Sequence, residues 1–87
     1  MRVHEGVAAF EGDLILDQAS RLLAEAEAAL AQGARVFDFS RVGHMDSSAL
    51  SLMLSLRRRA ADRPVEFRAV PESLSSLAKL YGIADQL

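Results

Sequence analysis

The chain alternates between two hydrophobic rhythms. Val3 to Phe10 is small and apolar around the turn-compatible pair Glu5-Gly6, and reads as one short strand or a clipped edge hairpin ending at Glu11-Gly12-Asp13. From Asp17 the period becomes helical: Ala19, Leu22, Leu23, Ala26 and Leu30 fall on one face, with Arg21, Glu25 and Glu27 off it. Asp13 or Asp17 is the expected cap and Gln32-Gly33 the stop. A second strand, ARVFDF (34–39), comes next. The polar residues from Arg41 to Asp46 then predict a loop, and Ala49 to Ala60 returns to helical spacing with Ala49, Leu52, Met53, Leu56 and Ala60 on the buried face. Asp62-Arg63-Pro64 interrupts this second helix.

In the next stretch, 65–70, Val65, Phe67 and Ala69 alternate with Glu66 and Arg68, so this strand has one face available to water. Pro71 is placed to open a third helix, with Leu74, Leu77, Ala78 and Tyr81 as its buried stripe. Gly82 is its stop, and Ile83 packs back over the end. The order β, α, β, α, β, α predicts an α/β domain: a small mixed sheet with parallel pairs joined by right-handed crossovers and its helices on one face. Phe37, Phe39, Phe67 and Leu77 are expected to share its core.

Eighty-seven residues leave room for a single domain over 1–87, and 51% hydrophobic with 25% charged residues is an ordinary globular balance. No apolar run reaches the roughly 18 residues a bilayer span needs, and MRVHEGV has neither the basic nor the apolar region of a secretory leader. A cytoplasmic location is expected. The absence of cysteine removes disulfides, thiolate metal sites and thiol nucleophiles, and a net charge of -2 gives no reason to expect nucleic acid or direct membrane insertion.

His44, Asp46 and Ser47 are the residue types of a hydrolase triad, but an adjacent Asp and Ser in one loop cannot readily line up with an imidazole between them. There is no G-x-S-x-G elbow and no phosphate-cradling G-x-x-x-x-G-K-[ST] loop. Two histidines forty positions apart make no metal site. The sequence therefore predicts no catalytic residue, no metal and no cofactor. Arg57, Arg58 and Arg59 close the second helix, where cations offset the negative end of its dipole.

The stretch from Asp46 to Arg58 carries the functional expectation. A helix N-terminus projecting past a strand end offers unpaired N–H groups and partial positive charge. Asp46, Ser47 and Ser48 stand at that turn, and one of them is the expected helix cap. Along the solvent side run Ser47, Ser51, Ser55 and Arg58, with Leu50 and Leu54 beside them. Two leucines among small hydroxyl side chains would let another backbone come close, which predicts a protein-docking face.

An apolar strand with D-F-S, a short loop, D-S-S and then an apolar helix resembles the STAS domain, the fold of the anti-sigma factor antagonists and of a subunit of bacterial lipid-transport ABC complexes. The similarity covers nearly the whole chain. In the antagonists the serine of D-S-[ST]-G-L is the phosphoacceptor, which by motif position is Ser47; Ala49 stands where those proteins usually have glycine. D-S-S-A-L, together with S-L-A-K-L-Y-G-I at 76–83, looks more like the lipid-transport branch. That resemblance implies a non-catalytic subunit that binds and supports the transporter's ATPase, in complex with its permease, through the helix starting at Ser47. It also implies a place at the inner membrane held only through the complex. The alternative it leaves is an antagonist switched by phosphorylation of Ser47, whose partner is an anti-sigma factor kinase.

Overall fold

The computed structural model describes residues 1–61 and 63–86, so Asp62 of the expected helix break lies outside the described residues. The elements are β1 (Val3–His4), β2 (Val7–Leu14), α1 (Leu16–Ala31), β3 (Val36–Met45), α2 (Ser48–Ala60), β4 (Glu66–Arg68), α3 (Glu72–Leu80) and a 3₁₀ turn (Ala84–Gln86). One four-stranded sheet runs in the order β1-β2-β3-β4, antiparallel between β1 and β2 and parallel thereafter.

Residue alternation decides which side of the sheet the helices cover. Ala8 and Phe10 on β2 and Phe37 and Phe39 on β3 are fully buried, whereas Ser40, Glu66 and Arg68 on the intervening positions are exposed. All four phenylalanines stack on the covered side: Phe10 lies 5.0 Å from Phe39 and 5.9 Å from Phe37, and Phe67 meets Phe39 edge-on at 6.0 Å. Leu22, Ala26 and Ala29 of α1, Ala49, Leu52, Met53 and Leu56 of α2, and Leu74 and Ala78 of α3 close this core. Phe67 and Leu77 are half-buried at its edge rather than central.

The first segment is the hairpin, not a single strand. Glu5 and Gly6 form its two-residue loop, both with positive φ (51° and 80°), the twist that tight hairpins require. Glycine takes this conformation without strain and glutamate does not. Glu5→Asn is therefore expected to raise stability by about 0.5 kcal/mol in urea denaturation, and an unchanged midpoint would argue against strain at this turn.

Several sequence expectations need correction here. β2 runs on to Leu14, and β3 continues through Arg41–Met45, the stretch expected to be a loop, because Glu11, Gly12 and Leu14 pair with Arg41, Val42 and Met45 across two register shifts. This outer ribbon lies largely in water, so it shows no apolar alternation. α1 is not capped by Asp13 or Asp17: Ile15 is its cap residue and bonds through no side chain. Tyr81 is 57% exposed instead of completing the buried stripe of α3. Gly82, at φ 71°, does end that helix, and the Ile83 N–H donates back to the Ala78 carbonyl at 2.9 Å.

Candidate functional site

Asp46 organises the end of the sheet where the predicted site lies. Its Oδ1 accepts the Ser48 N–H at 2.8 Å, which makes it the side-chain cap of α2, while Oδ2 accepts the N–H of Leu16, the first residue of α1, at 3.1 Å. One carboxylate thus pins the starts of two helices. Its backbone continues the sheet, the Asp46 N–H donating to the Leu14 carbonyl at 3.3 Å. The Ser48 N–H, ahead of burial acting in the opposite sense and of the Leu16 N–H, holds the Asp46 carboxyl below the usual carboxylate value.

A folded-state pKa below the unfolded one contributes stability that is complete above the ordinary carboxylate range, about pH 4. That contribution is lost as pH falls through the lowered folded value. Glu25, held down first by the chain's terminal ammonium at 3.0 Å, and Asp38, first by the Ser40 hydroxyl, act in the same direction. Asp46→Asn is expected to lower stability at neutral pH and to flatten its fall below about pH 4, followed by circular dichroism. Parallel acid curves for parent and variant would remove Asp46 from the groups responsible.

Because Asp46 does the capping, Ser47 is released from it. Ser47 sits at φ -63° and ψ -14° at the helix start, is exposed, and makes no capping hydrogen bond through its hydroxyl. Ser48 is half-buried. Ser51 and Arg58 are exposed, Leu54 and Ser55 are half-buried, and Arg58 donates to the Ser55 Oγ at 3.2 Å. Leu50 departs from the expected docking stripe: it is 3% exposed and belongs to the core. α2 lies between α1 and α3 and packs on both, so its apolar arc is wider than one sheet-facing stripe.

The arginines at the far end of α2 are individually engaged. Arg57 donates to the Val65 carbonyl at 2.9 Å and lies 4.9 Å over the Phe67 ring, and Arg59 pairs with Glu27 of α1 at 3.0 Å. His44 does not approach Ser47 as a base would. Its side chain is 92% exposed with Nδ1 3.5 Å from Asp13, whose carboxylate also accepts the His44 N–H at 2.9 Å. Among the described residues no His, Asp or Glu cluster could hold a metal, and no helix is long and apolar enough to cross a membrane. Sequence reasoning missed the second bond of Asp46, and with it Leu16, which is 73% exposed beside the site. A run of three apolar residues, Leu14 to Leu16, ending at a strand-to-helix junction was the available signal.

Comparison with known proteins bears on the family and the fold. A family profile described as "Mlab, STAS domain" matches residues 1–87. Among solved structures the chain is similar to that of the anti-sigma factor antagonist SpoIIAA in its unphosphorylated form, with a TM-score of 0.64 at 20% identity over 92% of this chain and 74% of that one. At that identity the likeness shows the fold alone. No curated protein matches the sequence.

Proposed function

This chain belongs to the STAS domain family, in its MlaB type, and from that premise we propose that it is a non-catalytic subunit that binds and supports the ATPase of an ABC phospholipid transporter. The ATPase would be of the MlaF type, in complex with its permease, in a system that maintains outer-membrane lipid asymmetry. The protein would then be cytoplasmic and peripheral to the inner membrane through that complex. The docking face is Asp46, Ser47, Ser48, Ser51, Leu54, Ser55 and Arg58, with Leu50 supporting it from the core.

One observation carries the reading. Ser47 is an exposed hydroxyl at a rigidly capped helix start with no structural task of its own, on a surface of small side chains that permits close backbone approach. The test is association of the purified protein with the ATPase subunit encoded in the same genome, measured by calorimetry, and with the permease complex. No association at tens of micromolar would sink the proposal.

The same free hydroxyl favours a second reading, an anti-sigma factor antagonist controlled by phosphorylation of Ser47. A phosphate there would add about 1.5 to 2 negative charges at a surface suited to a neutral group. An anti-sigma factor kinase that phosphorylates the parent protein but not Ser47→Ala would establish this reading in place of the first.

A further inference from the structure

We infer that Leu16 is the apolar anchor of the docking surface, and that the partner protein meets it with an apolar socket rimmed by basic side chains. The inference rests on the docking role proposed above and names the chemistry of the partner's side of it.

Leu16 opens α1 with its side chain in water. Its N–H and that of Ser48 are held by the two oxygens of the Asp46 carboxylate, at 3.1 and 2.8 Å, so the exposed leucine and the exposed Ser47 flank one rigid group. With its backbone already pinned by Asp46, Leu16 can be covered by a partner at little ordering cost, so that its apolar area is available to binding.

The surrounding charge specifies the rim. Asp13, Asp17 and Asp46 are all exposed; His44 Nδ1 lies 3.5 Å from Asp13, and Arg41 on β3 is paired with Glu11 at 3.5 Å. Arg35, Arg57, Arg59 and Arg63 gather at the far end of α2, Arg59 paired there with Glu27, so arginine is concentrated away from Leu16. Covering Leu16 removes water from these aspartates, and although Asp46 is met by backbone N–H groups and Asp13 by His44, an apolar partner without cations would leave their net negative charge desolvated. Basic groups around the socket repay that desolvation and steer the encounter.

Two titrations test this. In the first, the same-genome ATPase subunit is titrated with the parent, Leu16→Ser and Leu80→Ser at two salt concentrations; both leucines are exposed, and thermal melts establish that the variants are folded. Leu16→Ser should weaken binding about tenfold or more, added salt should weaken the parent's binding, and Leu80→Ser should bind as the parent does. If the parent binds and Leu16→Ser binds equally well, the anchor is wrong while the docking reading stands. If the parent does not bind the ATPase, the docking reading fails and the second titration decides the chemistry.

In that second arm, ¹⁵N-labelled protein is titrated with an amphipathic helical peptide of leucine and lysine and with its leucine and glutamate twin. Amide shifts at Leu16 and Ser48 with the lysine peptide alone, lost in Leu16→Ser, support the inference. Shifts with both peptides or at other surfaces overturn it. So does concentration-dependent self-association of the parent that Leu16→Ser abolishes, because the anchor would then serve a second copy of this chain.

Discussion

Phe39→Ala is expected to lower the stability of the domain by about 3 to 5 kcal/mol, among the largest effects a single truncation produces. Phe39 is 1% exposed and touches Phe10 at 5.0 Å and Phe67 at 6.0 Å, so its removal opens a void under three elements at once. Stabilities of small domains are about 5 to 15 kcal/mol, so the variant would stand near the limit of folding. Phe39→Leu, which keeps most of the volume, should cost considerably less and keeps the measurement possible if the alanine variant does not fold. Chemical denaturation reads both, and a loss below about 1 kcal/mol for the alanine variant would be incompatible with this packing.

Ser47→Glu is expected to separate folding from association. The Ser47 hydroxyl caps nothing, and a carboxylate near a helix N-terminus is tolerated to within a few tenths of a kcal/mol, offset in part by repulsion from Asp46. Binding should fall a hundredfold or more, because a carboxylate in place of a small hydroxyl must lose water at a close interface whose basic side chains are already matched to Asp13, Asp17 and Asp46. Leu54→Arg should weaken binding similarly, whereas Glu66→Arg, on the open face of the sheet, should leave it unchanged. A Ser47→Glu protein that binds like the parent, or that loses binding only through a collapsed melting temperature, would remove the turn from the docking role.

The amphipathic helices were legible because each carries a stripe at its own period, and the covered and open sides of the sheet because Glu66 and Arg68 alternate with Phe67. What escaped was decided by contacts distant in sequence. Arg41 to His44 are strand only because β2 lies alongside them, and their polar character reads locally as loop. Leu50 looked exposed when α2 was given a single buried face, but it is 3% exposed in a helix that packs on both α1 and α3. At the site, Asp46 was recognised as a capping type, yet its bond to Leu16 spans 30 residues and leaves no local pattern.

The same separation has a kinetic consequence. β2 and β3 can pair only after the chain between them has looped back through the whole of α1, a non-local closure of the kind that slows folding. Val7 against Val36 begins their ladder, Leu14 against Met45 ends it, and Asp46 lies one residue beyond. The turn carrying Asp46 and Ser47 is therefore held in place only when this ladder is paired through to its final rung. A nascent or partly zipped chain displays Ser47 without the rigid cap behind it, so complex formation would select finished molecules and leave incomplete ones to refold or be degraded.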